Sequence, residues 1–229
     1  MVVNARNGTQ GAAVLFSAGL DSAVLLADAL REGRAVPVYV SSGLAWEAAE
    51  LRVVEKLLMC PPFKGNAQPL VRLHVDMHDV YPASHWAIRG EAPAFDTPDE
   101  DVYIEGRNII LLSKTAVFMA HAGLRRALIG SLAGNPFPDA TPEFLDAIAS
   151  ALTLGLKTPI EVDAPFARLH KSEVIRKGRE LGVPMELTLS CMQPLDGVHC
   201  GRCSKCRERR DAFREAGVED PTAYAQAAR

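Results

Sequence analysis

Ala12-Ala13-Val14-Leu15-Phe16-Ser17-Ala18-Gly19-Leu20-Asp21-Ser22 runs from five apolar residues into small and hydroxyl-bearing ones, and a helical pattern from Leu20 to Leu30, closed by Gly33, follows at once. A strand that turns directly into a helix gathers backbone N–H groups around one point. The helix N-terminus adds unpaired donors and a partial positive charge. Ser17, Ala18 and Gly19 let the backbone approach a ligand closely, and Ser17 and Ser22 add hydroxyls, so the stretch from Phe16 to Ser22 predicts an anion cradle. No Gly-Lys-Ser/Thr is present, so the loop is not of the Walker type. It also lacks the second and third spaced glycines of a dinucleotide fingerprint. Asp21 beside a phosphate makes sense where Mg²⁺ bridges it to a polyphosphate. The plainer alternative is a tight turn with Asp21 capping the helix.

Outward from this junction, strand-like and helix-like runs alternate. Ala35 to Val40 and Leu70 to Val75 read as the second and third strands, Ala127 to Gly130 as the fourth and Ile160 to Val162 as a short fifth. Leu44 to Met59 is amphipathic, with Ala48, Leu51, Val54 and Leu58 on one face. Asn108 to Ala122 is apolar almost throughout, which predicts a helix buried on most sides and ended by Gly123. Pro142 to Leu154 carries Pro in its first turn, and Lys171 to Leu181 stops at Gly182. Met77 to Glu105 is irregular and long for a loop in a compact domain, with Asp96 to Asp101 reading as a solvated acidic edge. The alternation predicts an α/β fold: a parallel five-stranded sheet with helices on both faces and ligands beyond the carboxyl ends of the strands.

The chain has 229 residues, 48% hydrophobic and 23% charged, which is globular composition in one domain or one domain with a small appendage. A net charge of −3 gives no global basic field, so a protein that mainly coats nucleic acid is not expected. No apolar run is long enough for a membrane helix, and Met1 to Gly11 carries no signal pattern, so the expected location is the cytoplasm.

Four of the five cysteines, Cys191, Cys200, Cys203 and Cys206, are spaced C-x8-C-x2-C-x2-C near the C-terminus. That spacing suits a closed tetrahedral Zn²⁺ site, with Gly201 at the tight turn of the knuckle. Free thiols, a redox pair and an iron–sulfur cluster are the alternatives. His199 is a spare donor, and Cys60 reads as a small core residue. Gly106-Arg107-Asn108 opens the apolar helix, with Asn108 suited to cap it. Arg107 and Lys171 both stand at helix starts, where a cation is misplaced unless it shares the site with an anion. The alternative for each is a solvated surface charge. Arg202, Lys205, Arg207, Arg209, Arg210 and Arg214 form a basic run interleaved with acidic residues, which reads as a solvated helix face.

The Ser17-to-Ser22 loop resembles the pyrophosphate loop of the N-type ATP pyrophosphatases, with Ala18 where the family norm is glycine; an alanine fits if that residue needs no positive φ. Gly106-Arg107-Asn108, Lys171, Thr188-Leu189-Ser190-Cys191, Cys200-Gly201-x-Cys203-x-x-Cys206, Phe213-x-x-Ala216-Gly217 and Asp220-Pro221-Thr222-x-Tyr224 narrow the resemblance. Over about residues 12 to 224 the chain is similar to the 7-cyano-7-deazaguanine synthase family. The resemblance implies a Rossmann-like, adenine nucleotide α-hydrolase-like domain at 1–185 and a zinc-binding helical subdomain at 186–229. It implies an ATP-dependent carbon–nitrogen ligase that adenylates 7-carboxy-7-deazaguanine, takes ammonia to the amide, and activates the amide again to expel oxygen and leave the nitrile. ATP, Mg²⁺ and Zn²⁺ are the implied cofactors; Asp21, Arg107 and Lys171 are the implied catalytic residues. Phe137 is expected to stack on the heterocycle and Asp139 to accept hydrogen bonds from its guanine-like edge. Asp139 shaping a Pro-rich turn is the alternative. A homodimer is compatible with this reading. Two stretches depart from the family, Val40 to Trp46 in place of Tyr-Gly-Gln-x-His and Leu132 to Asp139 in place of a Tyr-containing loop. A paralogue acting on another carboxylate or stopping at an amide or acyl-transfer product, and a zinc-containing tRNA-modifying enzyme, therefore stay open.

Overall fold

The computed structural model describes residues 11–225. The segment read for a signal pattern lies outside these residues except for Gly11. Five parallel strands form one sheet: β1 (Ala12–Leu15), β2 (Ala35–Ser41), β3 (Val71–His74), β4 (Arg126–Leu128) and β5 (Glu161–Asp163), in the order β3-β2-β1-β4-β5. The helices are α1 (Leu20–Glu32), α2 (Glu47–Leu58), α3 (Trp86–Arg89), α4 (Arg107–Ala122), α5 (Pro142–Leu156), α6 (Lys171–Glu180) and α7 (Ser204–Ala216).

The pleat of β1 sorts the two cores. Val14 and Phe16 face a layer with Val24, Leu57, Ile175 and Phe213, which belong to α1, α2, α6 and α7. Ala13 and Leu15 face Leu112, Met119 and Leu145 of α4 and α5. A sheet buried on both faces explains the unbroken apolar runs of the central strands. Pro37 lies within β2 opposite Val14, and the ladder with β3 begins only at Val38, so its missing N–H removes no bond from that ladder. Ala212 and Phe213 of α7 belong to the same core as β1 and α1.

Two helices differ from their expected faces. On α2 the buried residues are Glu47, Ala49, Glu50, Val54 and Leu57, whereas Ala48 is exposed and Leu51 and Leu58 are half-buried. The helix is rotated towards its acidic residues. On α4 only Leu112, Thr115, Ala116 and Met119 are buried, and Ile109 and Val117 are exposed, because the helix packs against the sheet by one stripe alone. Cys60 is half-buried at the end of α2, and its thiol donates to the Lys56 carbonyl at 3.4 Å, so it is not a core residue. The long 77–105 segment carries α3 and a 3₁₀ turn at Asp99–Val102. It builds a third apolar cluster, in which Trp46 stacks on Trp86 at 5.7 Å. Among the described residues no helix is long and apolar enough to cross a membrane.

Candidate active site

Beyond the carboxyl ends of β1, β2 and β4 lies an open cleft of about 400 Å³. This is where the strand order reverses, the place where open parallel sheets bind ligands. Phe16, Ser17, Gly19, Leu20, Asp21 and Ser22 line it. Gly19 precedes α1, and no side chain caps that helix, so its first-turn amides are available to a ligand. Ser22 Oγ donates to the Gly19 carbonyl at 3.0 Å and fixes the turn.

Ala18 corrects the expectation that this position avoids a positive φ. Its φ is 61°, in the left-handed region, and its side chain is fully buried. An L-residue there costs about 1–2 kcal/mol. The conformation is held because the Ala18 carbonyl accepts from the Leu189 N–H at 2.9 Å, tying the loop to the segment before Cys191. Ala18→Gly relieves the strain and gives back part of the gain as unfolded-chain entropy. The expected result is a stabilisation of roughly 0.5–1 kcal/mol, read by denaturant titration; a loss of stability would show that the alanine methyl contributes more by packing than its conformation costs.

Asp21 is divided between two roles. Its Oδ2 pairs with Lys171 Nζ at 3.1 Å, while its buried Oδ1 has no hydrogen-bond partner. Lys171 also donates to Glu208 Oε1 at 2.5 Å, and Glu208 Oε2 accepts from Lys205 Nζ at 2.7 Å. Four residues of alternating charge thus run from α1 through α6 to α7 along the cleft wall. Burial works against the Lys171 charge, but Asp21 and Glu208 outweigh it and hold the ammonium above the usual lysine range. Burial would likewise raise Glu208, but Lys171 and Lys205 outweigh it and bring its carboxyl to about 2.

Arg107 also lines the cleft, and its Nε is buried without a partner. Helix α4 begins at Arg107, after Gly106 in a left-handed turn at φ 71°, so Asn108 is not the cap. Asp139 does the capping instead. Its Oδ2 accepts from the Asn108 N–H at 2.9 Å, and its Oδ1 and carbonyl both accept from Asn108 Nδ2 at 3.1 Å. Asp139 is 3% exposed and is not part of the cleft wall. Its carboxylate is engaged at the first turn of α4, where it suits the positive end of that helix. Phe137 does line the cleft and stacks on Tyr103 at 5.3 Å.

Several cleft residues escaped the sequence reading: Trp46, Glu50, Lys205 and Glu208. Their signals were present. Glu50 shares a helix stripe with Val54 and Leu57, and Glu208 stands three residues after Lys205. Glu47 is buried as well. It accepts from the Ser42 N–H at 2.8 Å, the Gly43 N–H at 3.2 Å and Ser41 Oγ at 2.6 Å, clamping the segment after β2 that departs from the family pattern.

Cys191, Cys200, Cys203 and Cys206 come together, buried, with sulfurs all within 4.8 Å of one another. The pairs Cys191–Cys203, Cys200–Cys206 and Cys203–Cys206 are 3.9, 3.9 and 3.5 Å apart. Four sulfurs about 2.3 Å from one ion form a tetrahedron with edges of about 3.8 Å, so the cluster fits a thiolate metal site. Backbone N–H groups of Gln193, Cys200 and Arg202 point at sulfurs from 3.3 to 3.4 Å, which favours thiolate charge. Gly201, at φ 80°, supplies the knuckle turn. His199 is no ligand: its Nε2 accepts from the Ser190 N–H at 3.1 Å, and burial, with Arg209 beside it, lowers its pKa to about 3. The basic run is not a solvated face throughout. Arg209 is fully buried and donates to Thr222, Thr188, Ser190 and the Met185 carbonyl, while Arg207 pairs with Asp99 at 3.5 Å.

The fold and the cleft define an α/β protein with a small-residue loop and an uncapped helix start at its switch point, and beside it a cluster of four thiols that could hold a metal. Residues 11–217 match the family model described as "Queuosine biosynthesis protein QueC", and the chain belongs to that family. Curated relatives named 7-cyano-7-deazaguanine synthase include one from Methanopyrus kandleri, 33% identical over 92% of this chain and 97% of its own, and one from Anaeromyxobacter dehalogenans, 31% identical over 98% and 100%. A solved 4-thiouridine synthetase–RNA complex with bound ATP is 20% identical, with a TM-score of 0.48 over 92% of this chain and 51% of that one. At that likeness it adds nothing to the fold or the chemistry.

Proposed function

We propose that this chain is an ATP-dependent ligase that adenylates 7-carboxy-7-deazaguanine and, with ammonia, carries it through the amide to 7-cyano-7-deazaguanine, releasing AMP and pyrophosphate. The relatives' shared name supports the overall conversion. The observation that carries the ATP half is Asp21, paired through one oxygen to Lys171 and buried with the other unpartnered beside an uncapped helix start. A carboxylate oxygen left without a donor in a phosphate cradle suits Mg²⁺, which when bound neutralises polyphosphate charge. The α1 amides and Ser17 would hold the pyrophosphate end, and Arg107 and Lys171 would flank the α-phosphate. Phe137 would offer its ring to the heterocycle. The four thiols leave no open position for water, so the metal they would hold, Zn²⁺ by ligand type, is structural. In this proposal residues 1–185 carry the nucleotide chemistry and 186–229 the metal, with Glu208 reaching back to Lys171. Location in the cytoplasm, small-molecule substrates as partners and a homodimer belong to the same reading.

The acceptor is tested by incubating the protein with ATP, ammonium and 7-carboxy-7-deazaguanine and reading product mass and AMP together. The nitrile with two AMP per turnover is the expected result. Amide alone with one AMP would mark a specialised paralogue, and no turnover of this acid would remove it as the substrate.

A further inference from the structure

Among the described residues, four carboxyls line the cleft: Asp21, Glu50, Asp99 and Glu208. Three are held by cations, Asp21 and Glu208 by Lys171, and Asp99 by Arg207. Glu50 alone has no ion pair. It is 7% exposed, and its Oε2 accepts from the Tyr39 hydroxyl at 2.9 Å. One neutral donor, the Tyr39 hydroxyl, thus holds the carboxyl at the cleft wall, while the fold supplies no contact charge to neutralise it.

The reaction proposed above needs a proton acceptor that its ATP-binding groups do not provide. Ammonia in neutral water is almost wholly ammonium, which has no lone pair. Lys171, Lys205 and Arg107 are already charged, and Asp21, Asp99 and Glu208 are occupied by cations. We propose that Glu50 takes one proton from the ammonium ion entering the cleft, so that ammonia attacks the adenylated carboxyl; this rests on the function proposed above. One N–H bond of the ammonium breaks, its proton going to a Glu50 carboxylate oxygen and its electrons staying on nitrogen, and that pair forms the new C–N bond. The C–O bond to AMP then breaks with its pair on the phosphate oxygen, and the extra proton on the new amide nitrogen passes to water. Glu50 returns its proton to solvent after the product leaves.

The surroundings suit this role. Burial raises the Glu50 carboxyl to about 7, against the lowering effect of Arg107 on α4, the Tyr39 hydrogen bond and the nearby Trp46, and with a small raising effect from Glu47. Proton transfer is most effective when the acceptor's pKa lies near the working pH. The carboxylate form is present above that value, so ammonium-dependent turnover should rise as pH increases through about 7.

The test compares the full-length wild-type chain with Glu50→Gln. ATP–pyrophosphate exchange driven by 7-carboxy-7-deazaguanine should stay within about threefold of wild type, while amide formation from ammonium at pH 7 falls by about 100-fold, within the range for loss of a general base. Hydroxylamine, largely free base at that pH, should form the hydroxamate at nearly the wild-type rate. Equal loss of exchange and ammonium use, or full ammonium use, would overturn the proposal. Should Glu50→Gln not fold, Tyr39→Phe removes one donor to the carboxylate and should shift the ammonium-dependent pH profile upward; an unmoved profile would also overturn it. A wild type that catalyses no exchange with this acid fails the function reading itself and takes this proposal with it.

Discussion

Asp21→Asn should leave the protein folded and lower AMP and pyrophosphate formation by about 10³-fold, the scale expected when one preorganised electrostatic group is lost from a charge-developing reaction. The two oxygens explain why so small a change is so costly. Oδ2 faces Lys171 and Oδ1 is buried without a donor. An amide keeps the shape but presents an NH₂ where either a cation or an ammonium must sit. Turned one way it repels Mg²⁺, and turned the other it faces Lys171. Lys171 keeps its Glu208 partner at 2.5 Å in either case, so the fold is spared. Thermal melts matching wild type, with product formation followed by nucleotide chromatography, give the check. Wild-type rates in the variant would show that Asp21 only pairs with Lys171. ADP and orthophosphate from the wild type would show cleavage at the wrong phosphate.

What the sequence disclosed, and what it hid, follows from the range of the forces involved. The strands and most helix ends were legible because buried parallel strands must be apolar and because Gly33, Gly123 and Gly182 mark chain reversals locally. The loop from Ser17 to Ser22 and the four cysteines were legible because their chemistry is contiguous in the chain. The capping role of Asp139 is not legible because its partner Asn108 lies 31 residues away, and only the packing of the loop after β4 against α4 brings them together. Arg209 read as one more surface cation in a basic run, yet α7 turns it inward beneath the cysteine segment, where Thr188 and Ser190 accept its hydrogen bonds. Thr188 and Ser190 belong to the stretch that carried the family resemblance, so the pattern was visible before its reason was. Glu50 is not legible from its helix pattern: an amphipathic helix ordinarily buries its apolar stripe, whereas α2 buries two glutamates because each finds donors in the segment around β2.

Removing the metal should have the largest effect on stability. Cys203→Ala, or a strong chelator on the wild type, is expected to cost about 4–5 kcal/mol or more, the range reached when a mutation takes away a structural metal. The cluster's place in the fold explains the size. Cys203 directly precedes α7, Cys206 lies in its first turn, and both are fully buried against Cys191 and Cys200. The rest of the packing there depends on a fixed α7: Phe213 enters the main core, Arg209 holds the 185–190 segment, and Glu208 grips Lys171. Three buried thiols left around an alanine would give no closed site, and structural metal binding is folding free energy in such regions. Loosening α7 also frees Leu189, whose N–H restrains Ala18 in its strained turn. Loss of metal should therefore reach the Ser17–Ser22 loop and abolish ATP-dependent turnover without changing any residue of that loop. Metal content by mass spectrometry, thiol titration and thermal denaturation check this together. One zinc per chain and four unreactive thiols are expected for the wild type. A zinc-free preparation with unchanged melting temperature and full turnover would show that the four cysteines pack as an ordinary apolar cluster.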